Sequence, residues 1–322
     1  MYKKLVAVIV GVGLMASLVA GCGGGKPAAQ KEDAAKKELK IGFVMKTLSN
    51  PFFMTMEKGA KRAEAELGVK LVVQVGQEET SIEQQIAIVE NMIAQKFDAI
   101  CIAPGGSKEI VPVLKKAQDA GIPIINIDNR IDAEAAKAAG LKPIPYVGAS
   151  NTDGGYLAGK YLAEQLQGKG KVAIIEGIQG VDNAEGRKNG AKKAFAEYKD
   201  IQVVASQSAN WKTEEGLNVM TNILQANPDL NGVFCANDMM AFGAIQAIDP
   251  MGKSGKILVA AYDALEQSNV YIKEGKMIST VDQKPDDQGY YGVKFAVDLI
   301  NKKEVPTEYM VKLENITKDK VK

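Results

Sequence analysis

From Leu39 onward, short apolar runs alternate with longer segments whose apolar residues recur at helical spacing. The first runs are LKIGFVMK, VKLVVQV, FDAICIAP and IPIINID. Each is continuously apolar rather than alternating, which is typical of strands that are covered by helices on both faces. The pattern therefore predicts an α/β fold that is built on a parallel sheet.

The same alternation begins again after the segment YVGASNTDGG, with the runs GKVAIIEG, IQVVASQS, NGVFCAND, KILVAAYD and MISTVDQ. The chain has 322 residues, enough for two domains of ordinary size. We expect two doubly wound, Rossmann-like parallel-sheet lobes that are joined by three hinge crossings. The predicted N-terminal lobe comprises residues 39–149 and 284–311, and the C-terminal lobe residues 150–283 and 312–322. The crossings fall near Ala149-Ser150, Gln283-Lys284 and Met310-Val311.

The first 22 residues have a different pattern. Lys3 and Lys4 precede an uncharged apolar run, and small residues lead up to Cys22. The run is just long enough for a membrane-spanning helix. Its ending, Val-Ala-Gly-Cys, instead resembles the bacterial lipobox, in which the cysteine receives lipid and becomes the N-terminus. We therefore expect a lipoprotein signal peptide over 1–22, a flexible tether over 23–38, and a protein that is anchored in the cell envelope through Cys22.

Composition excludes several classes of function. Lys and Arg number 40 against 39 Asp and Glu, so the net charge of +1 gives no field that favours nucleic acid. The sequence has no histidine, which removes the commonest general base and metal ligand. The glycine-rich GGGKPA lacks the lysine-serine or lysine-threonine ending of a phosphate-binding P-loop. We expect no cofactor, no metal and no enzyme activity, and we expect Cys101 and Cys235 to be buried and unreactive.

In doubly wound folds, ligands bind beyond the carboxyl ends of the strands. The residues that follow the predicted strands are polar or aromatic, namely Lys46, Asn50, Phe52, Phe53, Asp128, Asn129, Asn237, Asp263 and Gln283. Carboxylates and amides hydrogen-bond vicinal hydroxyls, and rings pack on the C–H faces of a sugar. Each residue also has a structural explanation, such as a helix cap at Asn50 or core packing of the phenylalanines. The recurrence of the same chemistry at these five strand ends favours a sugar site.

Several motifs, in family order, extend this interpretation: TLSNPFF, IPIINIDNR, IIEGIQGVDNAEGRKNGA, LNVMTNILQANPDLNGVFCANDMMAFGA, AYDALE and DQKPDDQG. Over about residues 39–316 the chain resembles the ribose-binding branch of the periplasmic sugar-binding proteins. The resemblance implies a monomer whose lobes close over one monosaccharide and which delivers it to an ABC permease and its ATPase. Matching positions add Glu185 and Trp211 to the site. A receptor for a sugar or furanosyl signal, coupled to a chemoreceptor or sensor kinase, is the alternative.

Two departures from the ribose-binding pattern bear on the ligand. Ribose binders have an arginine directly after the aspartate that corresponds to Asp128, whereas here Asn129 follows and the arginine is displaced to Arg130. Ribose binders also have an arginine at the position of Glu185. Lys46 and Glu185 look instead like the allose-binding relatives. We expect a neutral monosaccharide that is similar to allose, ribose or psicose. Three carboxylates around Lys46 would exclude anionic sugars.

Overall fold

The structure is a computed structural model that describes residues 38–321. The predicted signal peptide, nearly all of the tether and the lipidation site at Cys22 lie outside the described residues. None of the helices in the described part is long and apolar enough to cross a membrane.

The N-terminal lobe contains a six-stranded sheet of β1 (Lys40–Met45), β2 (Lys70–Val75), β3 (Ala99–Ile102), β4 (Ile124–Ile127), β5 (Tyr146–Gly148) and β11 (Glu308–Met310). The strand order is β11-β5-β4-β3-β1-β2, and all neighbours are parallel. Its helices are α1 (Pro51–Leu67), α2 (Ile82–Ala94), α3 (Val111–Asp119), α4 (Ala133–Ala138) and α10 (Pro285–Ile300). Apolar clusters cover both faces: α1 and α10 contribute to one, and α2 and α3 to the other.

The C-terminal lobe repeats this architecture with β6 (Lys169–Glu176), β7 (Asp200–Ser208), β8 (Gly232–Cys235), β9 (Leu258–Tyr262), β10 (Ser279–Asp282) and β12 (Glu314–Thr317). Its helices are α5 (Asn151–Gln165), α6 (Asp182–Ala196), α7 (Thr213–Ala226), α8 (Asp238–Ile248) and α9 (Glu266–Lys273), with a 3₁₀ turn at Asp249–Met251. The order is β12-β10-β9-β8-β6-β7. The prediction of two parallel-sheet α/β lobes is confirmed, except that β12 pairs antiparallel with β10. A short edge strand has one partner, and its direction depends on where the last crossing delivers the chain.

The chain passes from one sheet to the other three times. The crossings lie between Gly148 and Asn151, between Asp282 and Pro285, and between Met310 and Glu314. Helix α10 thereby returns to the N-terminal lobe, where it packs against α1. The movement of these crossings as hinges stays a prediction.

Close packing of α5 against α6 fixes the position of α6, which carries part of the site described below. A Cβ at Gly190 would lie 2.0 Å from the carbonyl oxygen of Thr152, and one at Gly155 would lie 2.1 Å from that of Arg187. Both obstacles are backbone atoms, so neither can move aside cheaply. Glycine at these two positions therefore allows the helices to approach at their crossing.

Candidate ligand-binding site

A buried cavity lies between the lobes, at the carboxyl ends of both sheets. The N-terminal lobe lines it with Lys46, Asn50, Phe52, Phe53, Glu79 and Asp128, and the C-terminal lobe lines it with Asn183, Arg187, Trp211, Asn237 and Asp263, while Gln283 reaches it from the second crossing. Its wholly polar and aromatic lining suits one small polar molecule.

Two carboxylates surround one ammonium group on the N-terminal wall. Lys46 Nζ lies 3.3 Å from Asp128 Oδ2 and 3.9 Å from Glu79 Oε2. Asn50 Nδ2 donates to Glu79 Oε1 at 2.9 Å. Burial raises the pKa of Glu79, and the charge of Lys46 acts against that rise. The wall therefore offers several hydrogen-bond acceptors but little net positive charge.

Asn50 caps α1 and also lines the cavity. Its Oδ1 accepts from the backbone N–H of Phe52 at 3.1 Å and so caps α1, in which Pro51 is the first residue. Its amide nitrogen faces Glu79 in the cavity. The capped turn also fixes the rings of Phe52 and Phe53, which meet edge to face with centroids 5.1 Å apart. Aromatic surface of this kind can pack on the C–H face of a sugar.

Arg187 of α6 is the central cation of the C-terminal wall and is only 3% exposed. Its Nε donates to Asn151 Oδ1 and one terminal nitrogen donates to the carbonyl of Ala236, both at 2.9 Å. The same nitrogen lies 3.5 Å from Asp263 Oδ1, and the guanidinium lies 3.8 Å from the ring centre of Tyr262. Burial raises the pKa of Asp263 well above its ordinary value, while Arg187 opposes the rise.

Gln283 links the cavity to the second crossing, and Asn237 links it to the start of α8. Gln283 Nε2 donates to Asp263 Oδ1 at 2.8 Å, and Gln288 Nε2 donates to the carbonyl of Gln283 at 2.8 Å. Asn237 caps α8 through its Oδ1 and directs its Nδ2 to the carbonyl of Trp211 at 3.3 Å. These bonds fix the orientation of the lining side chains.

Several buried polar atoms of the cavity have no hydrogen-bond partner among residues 38–321. They are Asp128 Oδ2, which forms the ion pair with Lys46 but accepts no hydrogen bond, Asn183 Oδ1 and Trp211 Nε1. Buried polar groups are nearly always hydrogen-bonded, so unpaired ones at one place indicate a binding site. Two of these atoms accept and one donates. A hydroxyl can satisfy either kind, because it both donates and accepts.

Three residues of the same lining have strained backbone angles. Asp128, Trp211 and Asp263 have φ values of 63°, 68° and 112°, in the left-handed region that non-glycine residues rarely adopt. Each such residue costs roughly 1–3 kcal/mol, and strained residues cluster at functional sites. Asp128 and Asp263 each directly follow a strand, β4 and β9. The left-handed turn accompanies a side chain that faces the cavity instead of capping the next helix.

The structure brings together most of the residues that the sequence suggested, but it does not place Glu185 in the cavity. Its carboxylate is 36% exposed, accepts from the N–H of Gly180 at 3.0 Å and pairs with Lys188 at 2.5 Å. Positions 185 and 187 of a helix point roughly 200° apart. Arg187, not Glu185, therefore faces the cavity, and the third carboxylate that lines it beside Asp128 and Asp263 is Glu79.

Asn129 and Arg130 also lie outside the cavity. The amide of Asn129 is used in bonds between loops, which are described below. Arg130 lies 3.7 Å from the ring centre of Tyr146 and pairs with Glu308 at 2.8 Å. Neither residue is among those that line the cavity.

Sequence reasoning missed Glu79, Asn183 and Arg187. Glu79 follows β2, so the strand-end rule applied to that strand would have found it. Asn183 and Arg187 are four residues apart and share one face of α6. In the described part of the chain, no group of three histidine, cysteine or acidic side chains is arranged to hold a metal.

Comparison with known proteins agrees with this geometry. Residues 41–304 match the periplasmic binding protein domain. The chain belongs to the periplasmic binding protein family. It is 38% identical over 289 residues to the D-ribose/D-allose-binding protein of Pseudomonas aeruginosa, covering 89% of this chain and 90% of that one. It is 37% identical to the D-allose-binding periplasmic protein of Escherichia coli over 256 residues, 79% of this chain and 82% of that one.

A solved structure gives the same result for the family's fold. The periplasmic solute-binding protein of an ABC transporter from Actinobacillus succinogenes, solved with D-allose bound, superposes with a TM-score of 0.85 and 51% identity. The match covers 88% of this chain and 99% of that one. All three relatives are named as binding proteins, so the expectation of a binding protein rather than an enzyme is confirmed.

Proposed function

We propose that this protein captures one neutral monosaccharide between its two lobes outside the cytoplasm and delivers it to an ABC importer. Relatives that cover most of the chain carry the names of ribose- and allose-binding and ribose import proteins. The observation that carries the proposal is the buried cavity between the lobes. Its unpaired acceptors, its unpaired indole N–H and its phenylalanine rings together match the hydroxyls and the C–H faces of a sugar.

An aldohexose such as D-allose is the first candidate ligand. The Actinobacillus succinogenes protein, which holds D-allose, is 51% identical to this chain. Relatives at 35–38% identity are named for ribose or for allose, so ribose and psicose belong in the same test. Thermal unfolding with each sugar would identify the ligand. A sugar at 100 times its dissociation constant should add about 2.7 kcal/mol to the free energy of unfolding.

The fluorescence of Trp211 should change when the sugar binds. It is the only tryptophan of the chain, its side chain is buried, and its indole nitrogen lacks a partner in the described part of the chain. A sugar hydroxyl that accepts from this nitrogen alters the surroundings of the ring directly. Fluorescence titration with D-allose, ribose and psicose measures the effect, with sucrose as a control for viscosity and refractive index. Calorimetric saturation without any change in emission would place the indole outside the ligand contacts.

We further propose that the mature protein begins at a lipid-modified Cys22 and is held at the outer side of the cytoplasmic membrane. The support is the apolar run, which ends in Val-Ala-Gly-Cys. In a bacterial host, the wild-type protein should sediment with membranes and Cys22→Ser should not, because a serine offers no thiol for lipid. Mass analysis of the wild-type protein should show a chain that starts at residue 22 with added lipid. Equal partition of the two proteins, or an unmodified soluble chain, would contradict anchoring.

A further inference from the structure

The helix α6 begins without a cap of its own. Val181, at the capping position, has extended backbone angles but carries no side-chain oxygen, so it cannot accept from the first N–H groups of the helix. These N–H groups nevertheless have partners. Both partners come from the other lobe.

Ser107 and Asn129 supply the missing caps from loops of the N-terminal lobe. The N–H of Asp182 donates to Ser107 Oγ at 3.1 Å, and the N–H of Asn183 donates to Asn129 Oδ1 at 3.2 Å. Ser107 is 4% exposed and Asn129 is fully buried. Shielding from water strengthens hydrogen bonds of this kind relative to exposed ones. The first turn of a helix in one lobe is thus capped by bonds that exist only while the other lobe is in contact with it.

The two caps are fixed within their own lobe. Asn129 Nδ2 donates to the carbonyl of Pro104 at 3.1 Å and to Ser107 Oγ at 3.2 Å. A carbonyl only accepts, so the amide nitrogen must face Pro104 and the amide oxygen is left to face α6. Gln85 holds the same loop, accepting from the N–H of Gly105 at 2.7 Å. The acceptors therefore need no rearrangement when α6 arrives.

The capped turn of α6 also carries ligand groups. The backbone of Asn183 bonds to Asn129, while its side chain lines the cavity, and Arg187 follows one helical turn later. The position of both cavity side chains is thereby coupled to contact between the lobes. By contrast, the ion pair of Glu78 and Lys212 between the lobes, at 2.7 Å, joins side chains that are 51% and 41% exposed. Exposed pairs contribute little.

We propose that Ser107 and Asn129 determine how strongly the protein closes, and through closure its affinity, without touching the sugar. This inference rests on the proposed capture of sugar between the lobes. When the lobes separate, the N–H groups of Asp182 and Asn183 lose these acceptors and turn to water. The capping bonds therefore stabilise the closed form relative to the open form. The apparent affinity for the sugar rises with the fraction of the protein that is closed.

The test compares Ser107→Ala with the wild-type protein. Loss of a helix cap predicts a roughly 2- to 30-fold higher dissociation constant for D-allose, or for whichever sugar of the panel binds, through faster dissociation. The unfolding temperature of the sugar-free protein should fall by less than that of the sugar-bound protein, because the open form contains the bond between Asn129 and Ser107 but not the cap of α6. Stopped-flow fluorescence of Trp211, calorimetry and thermal unfolding measure the three quantities.

Asn231→Ala is the matched control. Asn231 Oδ1 accepts from the N–H of Lys171 at 2.8 Å, entirely within the C-terminal lobe and at the amino ends of its strands. This variant should lower the unfolding temperature of the sugar-free protein while keeping the dissociation constant within twofold.

A Ser107→Ala protein that binds sugar as tightly as the wild type would overturn the inference and leave the proposed function standing. An affinity loss matched by an equal loss of stability without sugar would overturn it too. Small-angle scattering that shows no contraction of the wild-type protein in saturating sugar would overturn both closure and this inference.

Discussion

Replacing Arg187 with methionine should weaken sugar binding by roughly 30- to 4,000-fold, the largest effect that we expect from one substitution. Loss of one partner of a buried, hydrogen-bonded charge pair typically costs about 2–5 kcal/mol. Arg187 is buried against Asp263, Asn151 and the carbonyl of Ala236. Methionine has a similar length but no charge and no donor, so it leaves the Asp263 carboxylate without its cation.

Glu185→Gln on the same helix is the matched control for Arg187→Met. The Glu185 side chain is 36% exposed and does not line the cavity, so the affinity of this variant should stay within about twofold of the wild type. Titration calorimetry on the three proteins, with circular dichroism to verify folding, measures the difference. Equal affinities of the wild type and Arg187→Met would remove the guanidinium from the site. A large loss in Glu185→Gln would instead support the residue that the sequence pattern suggested.

Anionic sugars should bind at least roughly 100-fold more weakly than neutral sugars of the same configuration. Glu79, Asp128 and Asp263 face the cavity against two cations, Lys46 and Arg187, which are already paired with them. A ligand carboxylate or phosphate would add like charge to a desolvated space without a free cation there, which costs several kcal/mol. The sequence led to the same expectation from a different set of carboxylates, since Glu79 takes the place of Glu185.

Calorimetry with a matched set of ligands tests this selectivity. The set comprises the bound aldohexose, its uronic acid and its 6-deoxy form, which lacks the same hydroxyl but carries no charge. The deoxy sugar should lose less affinity than the uronic acid, because only the latter brings charge. Tighter binding of the uronic acid than of the deoxy sugar would contradict the charge argument.

The pH dependence of any remaining uronic acid binding is a second test of the charge argument. Burial raises the pKa values of Asp263 and Glu79, and a bound anion would raise them further. Protonation removes like charge from the cavity, so affinity for the uronic acid should increase as the pH falls while that ligand is still ionised. The 6-deoxy sugar should show no such increase.

The sequence alone determined the fold and much of the site. Continuous apolar runs separated by helical segments identify buried parallel strands, because only strands covered on both faces lack alternation. In such a sheet the residue after a strand lies at the ligand edge, a purely local consequence of chain direction. Lys46, Asp128, Asn237 and Asp263 could therefore be named from their places after strand runs, and the structure places all four in the cavity.

Only the tertiary structure decided which side chains of α6 and of the connecting loops enter the cavity. The choice between Glu185 and Arg187 depends on the rotation of the helix about its axis, which packing of Gly155 and Gly190 against α5 fixes. Asn129 follows a strand just as Asp128 does, yet its amide is taken up by Pro104 and α6. Helix rotation and bonds between lobes arise from residues far apart in the chain, so no local pattern contains them.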